Sequence, residues 1–314
     1  MNLYTQDSNI NKTKDTVITI GTFDGVHLGH QKILNHVLHL ADEKKSRSFV
    51  ITFEPHPRLV VSKNYDIKLL TTLDEKVKLF EKIGIDNLMV IKFTKEFSGL
   101  SSKEFVRNYI CNKIGANHIV VGYDHKFGKN RDGDENKLRE LGKLMDFDVT
   151  KVDPITAGDT IISSTKIRNL LSEGDIALAN KFLGRAYTLS GKVVNGAGRG
   201  RSLGFPTANI EVENIHKLIP GNGVYAVSVW SNKEKFAGIM NIGLRPTFNQ
   251  TPNVIIEVHI LNFDKDIYNK DLQIEFLRRL RAEKKFSSKD ELIRQINIDK
   301  KNALKIVNSY VETS

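Results

Sequence analysis

The stretch "GTFDGVHLGHQKIL", Gly21 to Leu34, joins an apolar run to a helical pattern. The run before it, Thr16–Gly21, is rich in β-branched residues and predicts a buried strand. The residues after it carry apolar side chains at helical spacing and predict a helix. Two histidines, His27 and His30, lie three residues apart at the start of that helix.

Strand and helix patterns continue to alternate up to about residue 183. Further strands are predicted in "SFVITF", "NLMVIKF" and "HIVVGYD", each followed by a helical pattern. This alternation predicts a doubly wound α/β domain, with a parallel sheet covered by helices on both faces. Ligands of such sheets bind beyond the carboxyl ends of the strands. We therefore expect Gly21–His30 and Gly122–Gly128, which both follow strands, to line that crevice.

The second part of the chain has a different pattern. Short strand-like stretches broken by Gly, Pro and Asn follow one another closely, which predicts a small antiparallel β-barrel. The tail "SSKDELIRQINIDKKNALKIV" predicts a C-terminal helix with serine caps. We place the boundary between residues 183 and 184, which gives domains 1–183 and 184–314.

The composition is that of a globular protein, with 40% hydrophobic and 27% charged residues in 314. No apolar run approaches the ~18 residues that span a bilayer, and the polar N-terminus lacks a signal-peptide core. The single cysteine, Cys111, has no partner for an internal disulfide. We expect a cytoplasmic protein without a membrane partner; the sequence indicates no oligomeric state.

The chain is basic, with 47 Lys and Arg against 37 Asp and Glu, a net charge of +10. This balance favours anionic partners such as nucleotide phosphates or nucleic acid. The charge is spread along the chain rather than gathered in one tract, which is typical of a solvated lysine-rich surface. We therefore do not expect nucleic acid as a partner.

The histidine pair fits phosphate chemistry. A helix N-terminus attracts phosphate through its free N–H groups and dipole, and Gly21, Gly25 and Gly29 allow close backbone approach. His27 and His30 in the first turn would both face that phosphate, where charge builds during attack on phosphorus. A metal site is the alternative, although no third ligand stands at suitable spacing.

A second motif, "ISSTKIR", offers hydroxyl groups followed by cations. Ser163, Ser164 and Thr165 are candidate helix caps. Together with Arg168 they would also hold the β- and γ-phosphates of ATP. The HxGH signature "HLGH" and this segment, akin to KMSKS, resemble the nucleotidyltransferase superfamily.

The resemblance narrows when both halves are considered. "FDGVHLGHQ", "FEPHP", "VVGYDHKFG" and "ISSTKIRNLLSEGDI" look like the N-terminal half of the bacterial bifunctional riboflavin kinase/FAD synthetase family. "GRGRSLGFPTANI", "GVYAV", "NIGLRPTF", "EVHILNF" and "RAEKKF" match its second half. The likeness covers essentially the whole chain and implies a Rossmann-like HxGH domain followed by a riboflavin kinase barrel.

For the first half, the family implies transfer of AMP from ATP to FMN, giving FAD and pyrophosphate. His27 and His30 are the implied catalytic residues, and Asp124 and Phe127 are the implied flavin contacts. The implied ATP contacts are Gly21, Phe23, Gly25, Gly29, Ser163, Ser164, Thr165 and Arg168. His125 stands where the family commonly has an aromatic residue, but the surrounding G-x-D-x-x-F-G frame is kept, so we expect a difference in tuning only.

For the second half, the family implies phosphorylation of riboflavin by ATP. The ribityl hydroxyl needs a base, and Glu257 in "IIEVHI" is the implied one. An outward-facing barrel glutamate is the open alternative. Thr207 and Asn209 present hard oxygen atoms suited to Mg²⁺. Other implied contacts are Gly198, Arg201 and Gly204 for ATP and Arg278 for flavin. Asn262 replaces a common aspartate and receives no role.

The leading hypothesis is thus an enzyme that makes FMN and then FAD from riboflavin and ATP with Mg²⁺. A catalytically inactive flavin- or RNA-binding regulator on the same fold is one alternative. Another is a cytidylyl- or adenylyltransferase with a non-flavin acceptor, but this would leave "GFPTAN" unexplained.

Overall fold

A computed structural model describes residues 1–62, 67–196, 203–232, 234–245 and 253–311. The chain divides into two compact units, Met1–Ser164 and Thr165–Ser314. Among the described residues, no helix combines the length and apolar character that crossing a membrane requires.

The first unit contains a six-stranded parallel sheet in the order β1-β4-β3-β2-β5-β6. Its strands are β1 Asn2–Thr5, β2 Thr16–Ile20, β3 Arg47–Glu54, β4 Asn87–Lys92, β5 His118–Gly122 and β6 Asp148–Val152. The chain winds from β2 through β3 to β4 on one side, and β5 then pairs with the other side of β2. The doubly wound prediction is confirmed. The topological switch point between β2 and β5 is where such sheets bind ligands.

Helices accompany this sheet, and the sequence predicts each of them except the two short ones at Pro57–Val61 and Lys95–Ser98. They are α1 Leu28–Glu43, α2 Pro57–Val61, α3 Leu73–Ile83, α4 Lys95–Ser98, α5 Ser102–Phe105 and α6 Glu135–Met145. Local sequence signals explain the bounds of α3. Thr72 and Glu75 form a reciprocal capping box at its start, and Gly84 ends it in a left-handed conformation with φ 96°. Such capping signals determine where a helix begins and ends, and its buried apolar residues determine which side of the helix packs on the sheet.

Three features of the first unit depart from the simple pattern. The polar N-terminus forms edge strand β1, which pairs in parallel with β4 from Asn2 opposite Asn87. The helix predicted over "SSKEFVRNYICNKIG" begins as an α-helix and continues as a π-helix over Val106–Ile114. A small hairpin, β7 Thr156–Ala157 with β8 Thr160–Ile161, precedes Ser163.

The second unit holds a closed antiparallel barrel in the order β10-β13-β12-β11-β14-β9, which confirms the predicted barrel. Its strands are β9 Tyr187–Val194, β10 Ala208–Glu211, β11 Gly223–Ser231, β12 Glu234–Arg245, β13 Asn253–Ile260 and β14 Asp271–Arg281. Three fully buried rings pack together in its core: Phe276 lies 5.4 Å from Tyr225 and 6.2 Å from Tyr187, between centroids.

The described part of this unit also contains the helices α7 Ser164–Glu173, which begins at the last residue of the first unit, α8 Ile176–Leu183 and α9 Lys289–Val311. Buried Asn180 fastens α8 to the barrel, because its amide donates to Phe276 O and accepts from Tyr187 N, both at 2.8 Å. α9 is the predicted C-terminal helix, and Ala303 packs it against β11 and β12. The boundary between residues 183 and 184 stays a prediction.

Candidate active sites

The loop after β2 has an unusual backbone. Phe23, Gly25 and Val26 have positive φ angles of 47°, 86° and 39°. Non-glycine residues rarely adopt this conformation unless their surroundings enforce it. Phe23 is 2% exposed, and its ring lies edge-on to His30 and Phe80 at 5.3 and 5.6 Å. The predicted ATP contact at Phe23 is therefore also an anchor that holds the loop.

His27 and His30 come together as predicted. Their rings stack with centroids 3.7 Å apart and planes 17° apart. His27 is the N-cap of α1, and its Nδ1 accepts from His30 N at 3.4 Å. A Cβ at Gly29 would lie 3.1 Å from the His27 ring, so glycine at that position leaves room for the stack. Both imidazoles thus lie at the positive end of α1.

Hydrogen bonds to Asp24 and Gly25 hold the same loop in place. Asp24 is 2% exposed and accepts from Leu70 N at 2.9 Å and from Thr71 N at 3.0 Å. Gly25 N donates to Thr71 Oγ1 at 2.9 Å, and Ser164 Oγ donates to Asp24 O at 2.8 Å. The structure therefore brings Ser164 to the histidine loop. Sequence reasoning missed the supporting roles of Asp24 and Thr71.

The loop after β5 carries the predicted flavin contacts. Asp124 is exposed, whereas Phe127 is 8% exposed and packs 6.0 Å from the Phe105 ring. His125 stacks on Phe127 at 5.5 Å. Burial lowers the pKa of His125 to about 4, which keeps it neutral. His125 thus packs on Phe127 as a neutral ring.

The remaining residues that the family resemblance implies for ATP binding in FMN adenylylation divide between the two units. Gly21 and Ser163 lie in the first unit; a Cβ on Gly21 would meet the Phe23 ring at 3.1 Å. Thr165 is exposed and Arg168 half-buried on α7, in the second unit. All four assignments to ATP phosphates stay predictions.

The barrel places three polar residues in one row. Asn209 of β10 lies opposite Glu257 of β13, and Glu257 lies opposite Asn241 of β12. Directly opposed residues share a face, with Cβ atoms about 4.5–5.5 Å apart. All three are half-buried, while Ile256 and Val258 on either side of Glu257 are buried. Glu257 thus faces outward from the barrel interior, yet it lies beside the predicted metal ligand. The sequence did not predict that Asn241, in "NIGLRPTF", lies beside Glu257.

The segment before β10 is anchored beside this row. Nδ1 of His259 hydrogen-bonds Pro206 O at 2.8 Å, and its ring lies edge-on to Phe205 at 5.6 Å. Burial lowers the pKa of His259, which favours its neutral form. Thr207 follows and is half-buried. The structure therefore brings Thr207, Asn209 and Glu257 to one region of the barrel.

The other predicted kinase residues have varied environments. Gly204 adopts φ 81°, and a Cβ built on it would meet no atom within 4 Å. Arg278 is exposed on β14, opposite Ala226. Gly198 and Arg201 lie outside the described residues. Asn262 has a left-handed φ of 54°, a conformation that asparagine adopts more readily than most residues.

Oxygen donors without cysteine or histidine suit Mg²⁺, and Thr207 and Asn209 provide a hydroxyl and an amide. Within the described ranges, no group of three or more His, Cys, Asp or Glu is arranged to hold a metal ion. The donor set of this region therefore fits a cation that keeps water and phosphate ligands rather than a closed protein cage.

Comparison with known proteins covers both units. The family model for FAD synthetase matches residues 9–166, and the one for riboflavin kinase matches residues 183–307. A bifunctional riboflavin kinase/FMN adenylyltransferase from Listeria monocytogenes is 41% identical over 289 residues, 91% of this chain and 90% of that protein. The protein so named from Buchnera aphidicola (Acyrthosiphon pisum) is 39% identical over 287 residues, 91% of each.

Among solved structures, a crystal structure described as a macrolide-efflux protein from Streptococcus pneumoniae has the same fold. Its TM-score is 0.88 at 29% identity, and the match covers 96% of this chain and 98% of that chain. The likeness in fold thus extends over nearly all of both proteins.

Proposed function

The chain belongs to the bifunctional riboflavin kinase/FMN adenylyltransferase family, and on that premise we propose that two separate sites carry its two reactions. It phosphorylates riboflavin with ATP to FMN, and it adenylylates FMN with ATP to FAD and pyrophosphate. The stacked histidines belong to the second of these reactions, and the polar row on the barrel belongs to the first.

At the histidine loop, the nucleophile is the phosphate of FMN, which is already ionised at neutral pH. The site therefore needs positive charge and positioning rather than a general base. His27 and His30, at the dipole end of α1, neutralise the phosphates of ATP. Ser164, tied to the loop through Asp24 O, and Arg168 hold the departing pyrophosphate. Asp124 and Phe127 remain the proposed flavin contacts.

At the barrel row, the nucleophile is an alcohol and must lose its proton. Glu257 accepts that proton, and the Asn209–Glu257 pairing is the observation that carries this assignment. Thr207 and Asn209 would hold Mg²⁺, which when bound neutralises phosphate charge. Gly198, Arg201 and Gly204 are the proposed ATP contacts, and Arg278 a flavin contact.

Product analysis tests the proposal directly. Pure protein is incubated with riboflavin, ATP and Mg²⁺, or with FMN, ATP and Mg²⁺, and the flavins are separated by chromatography. FMN and FAD are expected in the first mixture, and FAD in the second. A flavin- or RNA-binding regulator without catalysis would yield neither product.

Two variants then separate the sites. His30→Ala should lower FAD formation by about 10²–10³-fold while FMN formation persists. Glu257→Gln should lower riboflavin phosphorylation by about 10²–10⁴-fold while supplied FMN is still converted to FAD. In each variant, the reaction at the unaltered site serves as the control. Equal loss of both reactions in a folded variant would contradict the two-site assignment.

ATP, riboflavin and FMN are thus the small-molecule partners that the two reactions require. We infer a cytoplasmic location for this chemistry. Neither reaction needs nucleic acid or a membrane.

A further inference from the structure

A lysine is buried beneath the histidine loop. Lys76 lies on α3 and is only 3% exposed. Lysine is almost never fully buried unless its charge is compensated, because desolvation of an ammonium group is costly. Its Nζ donates a hydrogen bond to Thr22 O at 2.9 Å. This carbonyl belongs to the loop that carries Phe23 and the two histidines.

Two carboxylates compensate for the buried charge. Asp24, in the loop itself, and Glu54, at the end of β3, both favour the charged form of Lys76 through Coulomb attraction. Burial opposes them and has the larger effect, so the pKa of Lys76 lies below its ordinary value. Asp24 is in turn held by the backbone of Leu70 and Thr71. The ammonium therefore lies within a fixed network rather than on the surface.

The hydrogen bond acts on a strained part of the backbone. Thr22 directly precedes Phe23, the first of the three residues with positive φ. Such conformations are unfavourable and persist only when surrounding contacts enforce them. The Thr22 carbonyl and the Asp24 carboxylate flank Phe23 in the sequence, so Lys76 acts on both sides of the strained residue.

We propose that Lys76 is a positioning residue for adenylyl transfer, whose ammonium holds the Thr22 carbonyl and so fixes the turn that presents ATP to His27 and His30. This inference rests on the proposed assignment of the histidine loop to FMN adenylylation. Lys76 itself need not touch the nucleotide. Its effect reaches ATP through the backbone of the loop.

Lys76→Met tests the proposal, because methionine keeps the apolar stem and removes the donor and the charge. A misplacement of about 1 Å in a phosphate site costs on the order of 10²-fold. We expect kcat/KM for ATP in FMN adenylylation to fall by about that factor, with a raised KM for ATP and an unchanged KM for FMN. Lys78→Met is the matched control, since Lys78 is exposed on the same helix; it should leave both constants unchanged.

The KM pattern separates positioning from simple loss of folded protein. Partial unfolding of the first unit would lower kcat through the active fraction and leave every KM unchanged, which would overturn the proposal. If Lys76→Met does not fold, Lys76→Arg keeps the charge but moves the donor, and a raised KM for ATP is again expected. An unchanged KM for ATP in the folded variant would refute the role of Lys76.

Titration of the wild-type enzyme supplies an independent readout. Because the lowered pKa of Lys76 brings its deprotonation toward milder alkaline pH, the KM for ATP should rise as pH increases, and folded Lys76→Met should lack this rise. An identical pH profile in that variant would count against the proposal. Wild-type protein that makes no FAD from FMN would instead refute the assignment of the site itself.

Discussion

Gly196 lies against the side-chain amide of Asn209, the predicted metal ligand of the kinase site. A Cβ built on Gly196 overlaps the side-chain amide of Asn209, well inside the 3.0 Å that real Cβ atoms keep. The φ of Gly196 is outside the left-handed region, so alanine meets no backbone penalty there. In Gly196→Ala the Asn209 amide must therefore move by about 1 Å or more, which costs on the order of 10²-fold in rate when it misplaces a reacting centre.

Initial rates of riboflavin phosphorylation at saturating ATP and Mg²⁺ measure this effect. We expect Gly196→Ala to lose about 10²-fold in kcat/KM for riboflavin phosphorylation, whereas FMN adenylylation in the same preparation stays at the wild-type rate. Asn209→Ala provides the background for a double-mutant cycle. If Gly196 acts through Asn209, adding Gly196→Ala to Asn209→Ala should change the rate by less than about threefold.

Two outcomes would refute this reasoning. Wild-type kinase activity in Gly196→Ala would show that the amide position is not needed for phosphoryl transfer. A full 10²-fold loss on adding Gly196→Ala to the Asn209→Ala background would show that the glycine acts independently of Asn209. A parallel loss of FMN adenylylation would indicate a global defect instead of a local one.

Further predictions concern stability. Because the pKa of His125 is lowered from 6.5 to about 4, the unfolded chain binds the proton first, and stability should fall from pH 6.5 toward 4 by up to about 1.4 kcal/mol per pH unit. Urea unfolding at pH 5 and 7 should show a smaller difference for His125→Phe; an unchanged difference would contradict this. Asp299 is 3% exposed and pairs with Arg281 Nε at 2.9 Å, so Asp299→Ala should lower the free energy of unfolding by about 3 kcal/mol, against less than about 1 kcal/mol for exposed Asp290→Ala at the start of α9.

The sequence predicts the elements well because each carries its own local signal. β2, with every residue buried, appears as a β-branched run, and α3 appears between a capping box and a glycine. β1 has no such signal, since it is only four residues long and mostly exposed on a sheet edge. The π-helix at Val106–Ile114 also escapes prediction, because a shift in hydrogen bonding leaves the apolar pattern helical.

Contacts within the sites are predicted less completely. The motif residues His27 and His30 are adjacent because helical spacing puts them there. Asn241 joins Glu257 only through the register of β12 on β13, and a shift by one residue would turn it to the other face. The side-chain hydroxyl of Thr71 accepts a hydrogen bond from Gly25 N, 46 residues away in the sequence, and no periodicity marks such a pair.

Asp24 at the histidine loop and Glu257 on the barrel differ in burial and hydrogen bonding, and this difference fits the two proposed nucleophiles. Asp24 is the carboxylate of the histidine loop, but it is buried and accepts hydrogen bonds from two backbone N–H groups. A carboxylate used in this way supports the loop and is poorly placed to take a proton from substrate. An ionised phosphate nucleophile makes no such demand.

Glu257 has the opposite environment. It is half-buried on a strand face, between two asparagines that can orient it without neutralising it. A ribityl hydroxyl is a weak nucleophile until a base removes its proton, so this reaction needs a carboxylate that substrate can reach. The different placement of Asp24 and Glu257 therefore supports the proposed assignment, with attack by an anion at the histidine loop and by an alcohol at the barrel row.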